Sequence, residues 1–167
     1  MKKFVLTLIT AILFLGCSSK GASDESIVPK LVVSKTLAGL TLNDQHEKTH
    51  TLKASTKKVI FAFSKDVGHS CNDFFVTKDA TYLESNSAIF IADVSGAPSL
   101  IRSMFIMPGL QEFKHRVLVL DNEDVAASYK AGVNSEKIIV VSVDNGIITD
   151  IKALDSTSDL TANLETK

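Results

Sequence analysis

Residues 57–71, KKVIFAFSKDVGHSC, decide how this chain folds. Residues 59–63 are a short, nearly continuous apolar run, which predicts a central strand covered on both faces. We expect residues 64–70 to form a loop and residues 71–85 to form a helix. This order places the thiol of Cys71 at a helix N-terminus, where unpaired amides and the helix dipole stabilise a thiolate.

Outward from this stretch, β-rich runs alternate with helical patterns. The fold class predicted is α/β, with one central mixed sheet flanked by helices on both faces. Pro108 lacks an amide donor and predicts a break in its helix, whereas Gly132 predicts a helix end. Asn145-Gly146 between two β-rich runs predicts a hairpin. The further predicted elements are an N-terminal hairpin (37–42 and 50–52), strands 88–94 and 117–120, helices 99–113 and 121–129, the hairpin 138–151, and a final helix 159–165.

The N-terminal residues have the pattern of an export signal. Met1-Lys2-Lys3 is a basic start, residues 4–15 are apolar apart from two threonines, and Gly16-Cys17 follows. This apolar run is too short for a mature membrane span. The segment resembles a bacterial lipoprotein signal, although Phe14 stands where a leucine is usual. The resemblance implies that residues 1–16 are removed and that Cys17 is acylated; the alternative is an ordinary cleaved signal.

This interpretation divides the chain into a signal peptide (1–16), a flexible polar tether (17–30) and one domain (31–167). The expected location is the periplasm, held to the membrane by lipid on Cys17. By resemblance to lipoprotein sorting patterns, Ser18, which is not aspartate, favours the outer membrane. The net charge of −1 and the lack of basic blocks give no indication of nucleic-acid binding.

The chain has two cysteines. If Cys17 is acylated, Cys71 is the one remaining thiol and an internal disulfide is excluded.

Three segments resemble the thioredoxin-like superfamily, specifically its peroxiredoxin-like branch. Residues 40–52 are similar to the opening hairpin, and residues 63–71 are similar to the segment that presents the peroxidatic cysteine. Residues 119–133 with 143–148 are similar to the C-terminal half. The resemblance implies a thioredoxin-like fold with Cys71 at the active-site position.

The departures from that family are as informative as the matches. Ser64 and Gly68 stand where the peroxidatic motif has proline and threonine, and Lys137 falls near the position of the catalytic arginine. Lysine keeps the charge but loses the planar, multi-donor group. A Cys-x-x-Cys pair is missing, and a dithiol cycle within one chain needs two thiols. Residues 135–137 also lack the proline expected opposite the thiol.

The candidate catalytic residues are therefore Cys71, His69 and Lys137. They indicate a single-thiol redox or scaffolding role that would need a protein thiol or disulfide as partner. A one-cysteine peroxidase, with Cys71 oxidised to a sulfenic acid and resolved by an external thiol, is the enzymatic alternative. An inert, buried Cys71 that serves packing is the structural alternative.

Two non-catalytic alternatives remain. A metal site would combine His69 and Cys71 with one or two further ligands from His46, His50, His115, Met104 and Met107. The spacing of these residues matches no tight metal motif. No metal or cofactor is therefore predicted. A binding module would use the apolar stripe of residues 100–107, if the bend at Pro108-Gly109 exposes it.

Overall fold

The computed structural model describes residues 27–165. The predicted signal peptide, Cys17 and most of the predicted tether lie outside these residues. Within them, no helix combines the length and the apolar character needed to cross a membrane.

Seven strands and six α-helices make up the described chain. The strands are β1 (Thr41–Asp44), β2 (Thr49–Thr51), β3 (Lys58–Ala62), β4 (Ala88–Asp93), β5 (Leu118–Leu120), β6 (Ile138–Asp144) and β7 (Ile147–Leu154). The helices are α1 (Lys65–Val76), α2 (Tyr82–Ser85), α3 (Ser99–Ile101), α4 (Met107–Gln111), α5 (Glu123–Lys130) and α6 (Thr157–Leu164), with a π-helical turn, Arg102–Ile106, between α3 and α4.

All seven strands form one mixed sheet in the order β2-β1-β5-β4-β3-β6-β7. The central strands β3, β4 and β5 run parallel, and the hairpins β1–β2 and β6–β7 extend the sheet by antiparallel pairing. The predicted α/β class, mixed sheet and N-terminal hairpin are confirmed.

Each face of the sheet has its own core, because alternate residues of a strand point to opposite sides. Ile60 and Ala62 of β3 face a cluster that includes residues of α1, α4 and α6. Val59 and Phe61 face a second cluster that includes Ala126 and Tyr129 of α5. The sheet is therefore covered on both sides, and its central strands are almost wholly apolar.

The predicted boundary before Cys71 is wrong, because α1 already begins at Lys65. Ser64 is the N-cap, and its hydroxyl accepts a hydrogen bond from the amide of Val67 over 3.5 Å. Gly68 belongs to the predicted loop, but it lies in the second turn of the helix without a positive φ. The helix also ends at Val76, so residues 77–81 separate it from the short α2.

The expected break at Pro108 takes another form. Residues 99–111 continue as α3, the π-helical turn and α4, with Pro108 in the first turn of α4. Proline cannot donate to a carbonyl of the preceding turn, and the π-helical turn Arg102–Ile106 lies where that hydrogen bond is missing. The wider π turn comes just before it, so the helix axis continues with an altered register rather than stopping.

Two predicted turns are confirmed by their backbone. Asn145 and Gly146 have φ values of 48° and 79°, as a tight hairpin between β6 and β7 requires. Gly132 has a φ of 82° shortly after the end of α5. The predicted helix 121–129 begins two residues later than expected, at Glu123. Asn122 is its cap, and the Asn122 side chain accepts a hydrogen bond from the amide of Val125.

Candidate functional site

A groove of about 560 Å³ opens at the carboxyl ends of β3 and β4, beside the start of α1. This edge of an open α/β sheet is a usual place for ligands. We call it the carboxyl-end groove. Its residues come from three segments and α5; they are Ala62–Lys65, Gly68, His69, Asn72, Ala92–Val94, Gly96, Ala97, Phe105, Ile106, Gly109, Leu110, Phe113 and Lys130.

Cys71 does not line this groove. It is the seventh residue of α1, it is fully buried, and it belongs to the core cluster that includes Ile60, Val67 and Phe75. Burial raises the pKa of its thiol to about 12. The expectation that Cys71 lies at a helix N-terminus is wrong, because the unpaired amides belong to the turn before it. The side chain of Cys71 therefore packs in the core in the way that a small apolar side chain does.

The other two predicted catalytic residues lie apart from the thiol. His69 is exposed and lines the groove. Lys137 immediately precedes β6, and its ammonium forms an ion pair with Asp155. It does not line the groove. The structure thus brings His69 to the groove and leaves Cys71 and Lys137 out of it.

Asp93 and Lys130 form the charged part of the groove. Lys130 Nζ lies 2.7 Å from Asp93 Oδ2, and the Asp93 side chain is only 2% exposed. Asp93 Oδ1 accepts a hydrogen bond from the amide of Ser95. Sequence reasoning missed this pair. The signal was an aspartate at the end of a buried strand and a lysine at the end of a helix, but their proximity depends on the sheet order.

One side of the groove is formed by Phe105, Ile106, Gly109 and Leu110, which belong to the helical segment 99–111. Arg102 anchors it, because its guanidinium donates to the carbonyl oxygens of Ser95 and Asp121 at 3.1 and 3.0 Å. Four large apolar side chains of this segment remain open to solvent. They are Leu100, Ile101, Met104 and Phe105, at 64%, 43%, 58% and 63% exposure, and we call them the apolar wall.

Two of the other histidines, His115 and His50, have side-chain partners. His115 is buried against Phe75 and Phe113, its Nε2 lies 2.9 Å from Asn72 Oδ1, and burial lowers its pKa to about 4. His50 Nε2 lies 2.7 Å from Asp44 Oδ2. No group of three or more His, Cys, Asp or Glu side chains is arranged to hold a metal ion within residues 27–165.

No family model and no curated relative matches the chain. Solved structures do. A peroxiredoxin-like protein from Aquifex aeolicus superposes with a TM-score of 0.52 at 10% identity, over 83% of this chain and 89% of that one. The thioredoxin domain of a thiol-disulfide oxidoreductase from Bacteroides vulgatus gives a TM-score of 0.49 at 14% identity, over 81% and 99%. The fold is thioredoxin-like.

This fold with this groove supports binding better than thiol chemistry. A thiolate is the nucleophile in redox reactions, and a desolvated thiol with a pKa of about 12 holds almost none at neutral pH. The groove itself contains a histidine, an ion pair and many apolar side chains. Such a surface accepts an apolar group and orients it with a few polar contacts.

Proposed function

We propose that this chain is an exported, lipid-anchored binding protein. Its thioredoxin-like domain holds an apolar segment of another polypeptide in the carboxyl-end groove, and Cys71 takes no chemical part. The observation that carries the proposal is the apolar wall, which stays open to solvent beside the groove while the thiol is buried.

The exposed area is large enough to contribute to binding. Fully burying a large apolar side chain contributes roughly 1.5–3 kcal/mol. Met104 and Phe105 are both more than half exposed, so each keeps about half of this free energy or more for a partner. Arg102 fixes the start of the segment, which reduces the ordering cost of binding. The π-helical turn supports the same proposal, because such turns are frequent at functional sites.

The anchor and the compartment belong to the same proposal. They are supported by the basic start, the apolar run and Gly16-Cys17 in the sequence. A polar tether between lipid and domain leaves the groove free to meet a membrane-associated or periplasmic partner. Ser18 favours the outer membrane by resemblance to sorting patterns.

Selection from a random dodecapeptide library tests the binding function. The wild-type domain is the target, and a Met104→Ser, Phe105→Ser double variant is the counter-target. We expect enriched peptides to be apolar and to lose at least tenfold in affinity on the double variant, because two exposed anchors are removed. A matched control, Ile27→Ser with Val28→Ser, removes exposed apolar side chains that lie outside the groove lining and should leave binding unchanged. Failure to enrich any peptide that depends on the apolar wall would reject the proposal.

The peroxidase alternative is tested separately. Peroxide-dependent oxidation of an added thiol by the wild-type chain, lost on Cys71→Ala, would replace the binding proposal with one-cysteine chemistry. We expect no Cys71-dependent turnover, and we expect Cys71→Ala to keep the peptide affinity of the wild type.

A further inference from the structure

The carboxyl-end groove is apolar along its sides and has charged side chains at α1, at the end of β4 and at α5. Among the groove residues, Lys65 and Lys130 carry positive charge and Asp93 carries negative charge. His69 adds a polar ring on the exposed side of α1. The lining therefore has an excess of one positive charge with histidine neutral, although the whole chain has a net charge of −1.

Lys130 retains donor capacity toward the groove. A lysine ammonium has three N–H donors. Asp93 is the side chain that Lys130 contacts within the described chain, at 2.7 Å, and the Lys130 side chain is 34% exposed. The ion pair holds the ammonium in place, and its remaining donors are available to an oxygen acceptor that enters the groove.

The partially buried position makes such a contact stronger than at an open surface. Coulomb attraction grows as the effective dielectric constant falls, and side chains that surround a pair also exclude salt. A carboxylate beside Lys130 would form a charge-assisted hydrogen bond, which is about twice as strong as a neutral one. Repulsion from the Asp93 carboxylate, which already contacts the same ammonium, would offset part of this gain. A ligand without an acceptor would desolvate the ammonium and gain nothing in return.

We infer that the partner segment carries a carboxylate next to its apolar side chains, and that Lys130, oriented by Asp93, recognises it. This inference rests on the proposed function and specifies the partner of the same groove. A polypeptide fits better than a small carboxylic acid, because the apolar wall extends past the groove lining to Leu100, Ile101 and Met104. A short acyl chain would leave those side chains uncovered.

The test uses fluorescently labelled apolar decapeptides in which one glutamate is moved along the sequence. Each peptide has a twin with glutamine at the same place, and affinity is measured by fluorescence anisotropy. For at least one position, we expect the glutamate form to bind about tenfold tighter than its twin, as one charge-assisted contact predicts. This preference should shrink as salt is added.

The decisive variant is Lys130→Gln with Asp93→Asn. It removes both charges together, so no unpaired carboxylate is left buried. We expect both twins to bind alike, at the wild-type affinity of the glutamine form. Lys137→Gln with Asp155→Asn is the matched control, because it removes another Lys–Asp pair outside the groove lining. Lys130→Arg, which keeps the charge, should keep the preference.

The outcomes separate this inference from the proposed function. Equal binding of all twins by the wild type would overturn the inference and leave the binding function standing. A preference that survives in the Lys130→Gln, Asp93→Asn chain would also overturn it. Binding of octanoate, used as a small carboxylic acid, without any peptide binding would reject the proposed function together with this inference. A complete lack of binding would also reject both. If the double variant does not fold, a salt-independent preference in the wild type would still count against the inference.

Discussion

The chemistry of Cys71 follows from its position in the second turn of α1. The side chain has no exposed surface, and its neighbours in the core cluster are apolar. Charging it would place an anion among hydrocarbon groups without a partner, which is why burial raises the pKa from an ordinary 9.0 to about 12. At a given pH below 9, this shift lowers the thiolate fraction about a thousandfold.

We therefore predict slow alkylation of Cys71 in the folded protein. In a Cys17→Ser chain, iodoacetamide at pH 7.5 should modify the native protein at least about a hundredfold more slowly than the urea-unfolded protein. The rate is followed by intact mass. Modification of the native chain at the rate of a free, unperturbed thiol would show that the sulfur is accessible and would reopen the redox hypothesis.

His115 gives the protein a pH-dependent stability. Its folded pKa is about 4, against an ordinary 6.5, so the neutral ring is retained in the folded state while the unfolded chain takes up a proton. The free energy of unfolding should therefore fall as the pH drops below 6.5, and the loss should be complete near pH 4. Between pH 7 and pH 5, we predict a loss of roughly 2 kcal/mol from this group.

Urea unfolding at pH 7 and pH 5 measures this effect, with His115→Gln as the test variant and exposed His46→Gln as its control. The glutamine amide can still donate to Asn72 Oδ1, so the fold is retained although ring packing is lost. His115→Gln should lose most of the pH dependence and His46→Gln little of it. Asp44 does not interfere. Burial alone would raise its pKa, but hydrogen bonds from His50 and from the amides of Lys48 and His46 lower it below 3.8, outside this window.

At the scale of the element, the start of α1 decides what the groove contains. The capping hydroxyl of Ser64 lets the helix begin at Lys65, which moves Cys71 inward and turns Gly68 and His69 to the groove. Glycine inside a helix lowers its stability relative to alanine. Gly68 has a helical backbone, and a β-carbon there would contact nothing within 4 Å.

Gly68→Ala should therefore stabilise the protein by up to about 1 kcal/mol, measured as the shift in the urea unfolding midpoint at constant slope. Gly132→Ala is the matched control, because Gly132 has a φ of 82° and alanine there would be strained. It should destabilise the protein. Destabilisation by Gly68→Ala would mean that α1 does not include residue 68 in solution.

The strands and hairpins of the sheet could be predicted from the sequence, whereas the set of residues that lines the groove could not. Apolar runs such as residues 59–63, and the Asn145-Gly146 turn, identify strands and hairpins because their patterns are local. The loop predicted over residues 64–70 missed the start of α1, because a cap and tertiary packing support a helix there in spite of one glycine. The Asp93–Lys130 pair was missed because the two residues meet only once β4 and α5 are packed together.

At the scale of the whole molecule, the buried cysteine and the open groove lie in different parts of one thioredoxin-like fold. The sheet order places the ends of β3 and β4 beside α1, the segment 99–111 and α5, so five parts of the chain converge on one groove. The fold does not by itself assign a reaction. The position of Cys71 relative to the groove distinguishes the proposed binding function from an oxidoreductase function, because the thiol is buried and does not line the groove.

The attachment of this frame to a membrane is tested with the full chain expressed in a Gram-negative bacterium. If Cys17 is acylated, radiolabelled palmitate should be incorporated into the wild type and into Cys71→Ala, and not into Cys17→Ser. In cell fractionation, the wild type should appear in the membrane fraction and Cys17→Ser in the soluble periplasmic fraction. The reason is that the lipid supplies the anchoring free energy, about 0.8 kcal/mol per buried methylene. Labelling that persists in Cys17→Ser, or a wild type that is soluble and unlabelled, would replace the anchored protein with a freely exported one, and its groove would then meet its partner away from the membrane surface.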